Sequence, residues 1–262
     1  MKSIGKNVYL NLYSPLADKY NSNSQKIRVL TESWVATHIF CPSCGIAVSN
    51  YENNKPVADF YCSKCNEDYE LKSKNGLMGK KIVDGAYTTM ITRLQSNSNP
   101  NFFFLNYEKD TYKIKNFVVI PKHFFIPEII EKRKPLSQNA RRAGWVGCNI
   151  LLETIPESGK IFYIRENIVQ SKDKIIEEWN RTSFLKENKN IQTRGWILDI
   201  MKCIEKLDKS QFSLSELYQF EKHLKMKYPE NNNIQAKIRQ QLQILRDKSY
   251  LEFLGRGKYK IR

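Results

Sequence analysis

The chain has 262 residues, 41% hydrophobic and 12% aromatic, which is enough apolar surface for a sizeable core and too much for a globally disordered chain. No apolar run reaches the roughly 18 residues that a membrane-spanning helix needs, and the N-terminal stretch lacks the apolar segment of a secretory signal, so a soluble, cytoplasmic protein is expected. Lys and Arg total 43 against 27 Asp and Glu, a net charge of +16, which points to a polyanionic partner because each phosphate contact releases condensed counterions.

The basic residues are unevenly spread. From Lys186 to the C-terminus there are 17 Lys/Arg and 9 Asp/Glu in 77 residues, while the first 185 residues carry 26 and 18. In chain order, apolar residues at helical spacing (Val29, Leu30, Trp34, Val35) predict a helix over Lys26–His38, with Ser24 as its cap. Short strands are predicted over Val57–Phe60 and Tyr69–Lys72, and a helix from Gly85-Ala86-Tyr87 to about Leu94. Phe102–Tyr107 and Phe117–Ile120 read as buried strands joined by a charged turn. Pro121, Pro127 and Pro135 predict a long irregular stretch, followed by a strand over Ile161–Ile164 and a helix over Asp173–Glu187.

The polar run ENKNIQTR is read as the boundary between a domain over 1–188 and a smaller one over 189–262. Beyond it lies a helix from Trp196, then a second opened by Ser213-Leu-Ser-Glu216 at capping-box spacing. A third helix runs over Ile234–Lys248, with Ile234, Ile238, Leu242 and Leu245 inward and Gln235, Lys237, Arg239 and Gln240 outward. A hairpin follows, its Gly-Arg-Gly-Lys turn presenting Arg256 and Lys258. Three helices and a basic hairpin are the order of a winged helix-turn-helix, whose third helix enters the major groove.

Six cysteines are present. Four form two Cys-x-x-Cys pairs, Cys41/Cys44 and Cys62/Cys65, separated by 17 residues. That spacing supplies the closed tetrahedral thiolate shell of a structural Zn²⁺ in preference to an iron–sulfur or redox site. Cys148 and Cys203 stand in apolar contexts and read as packing thiols. Threaded through the second pair are Asp59 and, eleven residues later, Glu70-Leu71-Lys72. Glu70 and Lys72 share a strand face. Carboxylates offer Mg²⁺ its hard oxygen ligands, and an ammonium can position water and stabilise charge developing on a phosphate. Taken alone this spacing is common by chance on a solvated sheet face, and Asp68 could replace Glu70. A third constellation, Asn139-Ala-Arg-Arg-Ala-Gly-Trp145, offers Arg141 and Arg142 to phosphate or guanine. Its Trp145 either presents a ring to a base or packs back on the core.

Together the runs SNSQK, ENNKPVADFYC, ELKSK, DGAY, NPNFFFL, EKRKPL, ARRAGWVGCNI, TRGW, IRQQLQILRDK and GRGKY resemble the DpnI-type methyl-directed (type IIM) restriction endonucleases over nearly the whole chain. The resemblance implies an α/β PD-(D/E)XK nuclease core with a structural zinc site, followed by a mainly α winged helix-turn-helix domain. It implies cleavage of double-stranded GATC sites carrying N6-methyladenine, with Mg²⁺ as catalytic and Zn²⁺ as structural cofactor. Carried over by motif, Asp59, Glu70 and Lys72 are catalytic, and Mg²⁺ is held by Asp59, Glu70 and the backbone carbonyl of Leu71. Cys41, Cys44, Cys62 and Cys65 bind zinc, and Trp145 lies where the methyl groups are sensed. A monomer acting on methylated duplex DNA is expected. Pro56 stands three residues before Asp59 instead of beside it, and the first dozen residues match poorly. The competing readings are a non-catalytic regulator built on the zinc site and winged helix, and a repair-type nuclease acting on mismatched or flipped bases.

Overall fold

Two apolar runs build the centre of the first structural unit. Asn101–Tyr107 is buried at every position and Ile114–Ile120 at all but one, as the sequence predicts for strands covered on both faces. The computed structural model describes residues 8–52, 58–96, 98–188 and 190–262. They form two compact units: one contains the described residues up to Thr154 together with Ser158–Asn180, the other Ile155–Glu157 together with Arg181–Arg262.

In the first unit the chain forms α1 (Asn23–His38), β1 (Ser49–Asn50), β2 (Phe60–Tyr61), β3 (Asp68–Asn75), β4 (Lys81–Ala86), α2 (Tyr87–Gln95), β5 (Asn101–Tyr107) and β6 (Ile114–Ile120). There follow β7 (Ile130–Lys132), β8 (Gly147–Leu151), β9 (Ile161–Arg165), β10 (Ile168–Val169) and α3 (Lys172–Thr182), whose last two residues fall in the second unit. Seven strands make one sheet in the order β1-β2-β3-β5-β6-β9-β10, with β3 and β5 parallel and the other pairs antiparallel. Its apolar face carries a core of Trp34, Tyr69, Phe103, Phe117 and Tyr163, among others. The Tyr69 ring stacks on Phe103 at 4.5 Å, and Trp34 meets Phe117 edge-on at 5.4 Å.

A second, antiparallel sheet runs β4-β8-β7. It overturns the expectation of an irregular stretch after Pro121. The strands are short, and their partners lie far apart in sequence, so no local periodicity announces them. In β4 the pattern is inverted: Val83 is 63% exposed while Asp84 turns inward at 9%.

Three other expectations need correction. Helix α1 starts at Asn23 with Ser22 at the cap position, so Ser24 sits in the first turn, its hydroxyl 2.9 Å from that of Ser22. The helix predicted over Asp173–Glu187 is α-helical only to Thr182 and then tightens into a 3₁₀ turn over Ser183–Glu187, in which Phe184 and Leu185 are buried. The strand predicted over Val57–Phe60 is observed as Phe60–Tyr61. Pro56 and Val57, and Lys189 at the expected domain start, lie outside the described residues.

The second unit comprises α4 (Ile191–Lys206), β11 (Gln211–Ser213), α5 (Leu214–Tyr218), α6 (Glu221–Lys227), α7 (Ile234–Asp247), β12 (Leu251–Gly255) and β13 (Lys258–Ile261). Helix α4 begins five residues before Trp196 because Asn190 caps it, its side chain accepting from the Thr193 N–H at 3.0 Å. The predicted second helix is two short ones, broken at Gln219 and Phe220. Ile234, Ile238, Leu242 and Leu245 of α7 face inward as expected, joined by the fully buried Gln241. The sheet order β11-β13-β12 adds one strand to the predicted hairpin. Its tip places Arg256 and Gly257 at φ 48° and 70°, the two left-handed residues of a type I′ turn.

The capping box is present: Glu216 N–H donates to Ser213 Oγ at 3.3 Å and Ser213 N–H donates to Glu216 Oε2 at 2.7 Å. We expect Ser213→Ala to cost about 1 kcal/mol, read as a lower denaturation midpoint of the second unit at unchanged slope. Lys209 and the Ser213 groups hold the Glu216 carboxyl down at about 2. A depressed carboxyl stabilises the fold above the ordinary carboxylate range, and that contribution is lost as pH falls towards about 2.

Candidate active site and metal centre

The two Cys-x-x-Cys pairs fold into matched turns. Cys41 N–H donates to Ile46 O and Cys62 N–H to Glu67 O, at 2.7 and 2.9 Å. Gly45 N–H returns to Cys41 O at 2.8 Å and Asn66 N–H to Cys62 O at 2.9 Å. Both closing residues take left-handed backbone, Gly45 at φ 76° and Asn66 at φ 55°, which is where glycine and asparagine are best tolerated. The turns face each other so that all four sulfurs lie within 4.8 Å of one another. Across the turns, Cys41 Sγ and Cys65 Sγ are 3.4 Å apart and Cys44 Sγ and Cys62 Sγ 3.3 Å. Thiolates about 2.3 Å from a tetrahedral zinc lie roughly 3.8 Å from one another, so the cluster could hold a zinc ion with small adjustment. It is the one group of three or more His, Cys, Asp or Glu ligands so arranged among the described residues.

Strand β3 joins this centre to a charged cluster. Tyr69 turns to the sulfur side, its hydroxyl 3.1 Å from Cys41 Sγ. Glu70 and Lys72 share the opposite face, with Lys72 Nζ 2.6 Å from Glu70 Oε1. Two residues absent from the sequence reading complete the cluster. Asp84 Oδ1 lies 2.5 Å from Lys72 Nζ, and Arg93 Nη1 donates to Glu70 Oε2 at 3.2 Å. Burial pushes the Glu70 carboxyl up against the pull of Lys72. Burial opposes the charge on Lys72 too, but Glu70 and Asp84 outweigh it and push the ammonium up to about 12. Asp59 is half-buried immediately before β2, where its Oδ2 accepts the Leu71 N–H at 2.7 Å. Asp68 is engaged elsewhere, accepting from the Tyr51 hydroxyl at 2.6 Å.

Trp145 closes a turn whose Arg141 and Arg142 are exposed. It is half-buried, neither of the two extremes considered from sequence, and the far edge of its ring comes close to Gly147, where a Cβ would stand 2.8 Å from two ring carbons. A side chain at that position would have to displace the ring. In the second unit, the outward residues of α7 are held by neighbours. Gln235 donates to Glu221 at 2.8 Å and Arg239 to the Tyr218 hydroxyl at 2.7 Å. Lys237 donates to Gln240 at 2.8 Å and lies over the Trp196 ring. Arg256 and Lys258 are exposed at the hairpin tip. Cys148 and Cys203 are buried, and burial pushes their thiols up to about 11 and 12, as suits packing groups.

One unit carries a sheet with a shielded acid–lysine cluster and a four-cysteine centre, and the other is a basic helical unit ending in a hairpin, a combination that points to a protein acting on DNA. Residues 8–188 match the Dam-replacing family, and residues 192–261 match the Dam-replacing helix-turn-helix domain. The chain therefore belongs to the DpnI, or Dam-replacing, family of restriction nucleases.

We expect elemental analysis of the purified protein to find about one zinc per chain. Stripping it with a strong chelator should unfold the first unit, because structural zinc contributes folding energy directly. Zinc-free, fully folded protein with titratable thiols would contradict the assignment.

Proposed function

We propose that the protein is a Mg²⁺-dependent endonuclease of the PD-(D/E)XK type that cuts double-stranded GATC sites carrying N6-methyladenine. The observation that carries this reading is the Glu70–Lys72 pair on one face of β3, with Asp59 bonded to the backbone of the residue between them. In a chain of this family, such a cluster is the natural place for phosphodiester hydrolysis.

The donor set suits a hard cation: Asp59 and Glu70 would offer carboxylate oxygens and Leu71 its backbone carbonyl. Bound there, Mg²⁺ would lower the pKa of a water and neutralise charge on the scissile phosphate. The protein's own groups do the rest. Lys72, kept charged by its carboxylate neighbours, is suited to stabilising negative charge on the phosphate more than to taking a proton. Burial raises the Glu70 carboxyl, and Lys72 and, more weakly, Arg93 pull it back down.

A methyl group is a weak signal by itself. Burying one is worth about 0.8 kcal/mol, roughly a fourfold preference. Two methyls read once give about sixteenfold, and two read by both units independently give roughly 250-fold at the same value. We therefore assign one reading to Trp145 with Arg141 and Arg142, and the other to Gln235, Lys237, Arg239 and Gln240 of α7, supported on the backbone by Arg256 and Lys258.

Matched plasmids with and without adenine methylation test the specificity: only the methylated one should be cut, in a Mg²⁺-dependent reaction. Asp59→Ala and Lys72→Ala should each lower cleavage by at least about 10²-fold while band-shift affinity for the methylated duplex persists. If Asp59→Ala cuts at the wild-type rate, this active site is misplaced. A fragment starting at Arg181, which keeps the buried Phe184 and Leu185, should still prefer methylated over unmethylated duplex. Equal binding would leave methyl reading to the first unit alone.

A further inference from the structure

The run DGAY has no role in the reading above, yet its aspartate joins two sheets. Asp84 stands on β4, an edge strand of the three-stranded sheet, whereas Lys72 stands on β3 of the seven-stranded one. Their contact is 2.5 Å, and the Asp84 side chain is 5% exposed. Among the described residues, Lys72 is its one ion-pair or hydrogen-bond partner.

We propose that Asp84 is a positioning residue that holds the Lys72 ammonium at the reacting face, keeping it in place when Glu70 engages other groups. This rests on Lys72 serving the cleavage reaction proposed above. Glu70 is shared between Lys72 and Arg93, at 2.6 and 3.2 Å. Any ligand drawn to the Glu70 carboxylate competes with both. Lysine has a flexible four-carbon stem and would then sample many rotamers. Asp84 prevents this, because a lysine that swung away would leave a buried carboxylate without compensation. The backbone supports the same role. The β4–β8 ladder is irregular between Asp84 and Ala86, and a bulge of this kind re-aims a side chain next to a functional site. On the same ladder Ala86 pairs with Gly147, beside the Trp145 ring, so the strand pair gripping Lys72 also carries the Trp145 turn.

The test is single-turnover cleavage of a methylated GATC duplex in Mg²⁺ by full-length Asp84→Asn, Asp84→Glu and Lys72→Ala. Asp84→Asn should slow the cleavage step at saturating enzyme by about 10²-fold, the cost of a misplaced group. Its dissociation constant for the same duplex should stay within about threefold of wild type, and Asp84→Glu should recover part of the rate. A wild-type rate for Asp84→Asn, or a loss that follows weakened DNA binding, overturns the positioning role. Should Asp84→Asn not fold, Asp84→Ala carries the test, and a wild-type rate there overturns it equally. If Lys72→Ala is inactive while Asp84→Asn is not impaired, this inference alone fails. If Lys72→Ala cuts normally, the active-site reading fails and the inference falls with it.

Discussion

Successive side chains of a strand point to opposite faces, and along β3 this alternation sets two kinds of chemistry back to back. Tyr69 turns into the core, with its hydroxyl on Cys41 and its ring on Phe103. Glu70 and Lys72 turn the other way, into the charged cluster. Between them the Leu71 N–H is taken by Asp59. Four consecutive residues are thus fixed from the sulfur centre, from the opposite face and in the plane of the sheet. On the β5 side these residues sit in a continuous parallel ladder, but on the other side β1 and β2 are only two residues long. On that second side the cysteine turns supply rigidity that the short strands cannot. A structural ion in that position would act on the reaction only by holding β3 where it is.

The charged cluster is arranged differently from a surface ion pair. Glu70, Lys72, Asp84 and Arg93 are all shielded, with side-chain exposures between 5% and 23%. Any one of them alone would be costly at such a site, and removing one partner leaves the rest uncompensated. Two carboxylates against two cations balance the formal charge. Such an arrangement is weak evidence for stability, since well-packed apolar residues would serve that purpose as well. Mutually paired, shielded charges of this kind mark a candidate functional site.

How much of this was legible in the sequence depends on the range of the interactions. Cys41, Cys44, Cys62 and Cys65 are local pairs, and their spacing alone brings the metal centre into view. The mainly apolar runs over Phe102–Tyr107 and Phe117–Ile120, the capping box at Ser213 and the inward stripe of α7 are likewise local patterns, and they appear in the structure. Glu70 and Lys72 share a face by strand periodicity. Asp84 and Arg93 could not be found this way. They reach the cluster from another sheet and from α2, and Asp84 sits where an apolar residue would be expected, with Val83 facing out in its stead. The β4-β8-β7 sheet escaped because its strands are short and far apart in sequence, and because the inward Asp84 breaks the binary pattern of β4. The approach of the Trp145 ring to Gly147 was equally invisible, since it exists only in the folded contact.

The placement of Trp145 also has a spectroscopic consequence. Trp34, Trp179 and Trp196 are buried at 2%, 1% and 7% exposure, and Trp145 alone is half-open. A water-soluble quencher such as iodide therefore reaches essentially one of the four tryptophans of the free protein. That one stands on the turn that carries Arg141 and Arg142. The chain has its own emission probe for that turn, with no label added, and the fraction of light that iodide can extinguish reports whether anything covers it.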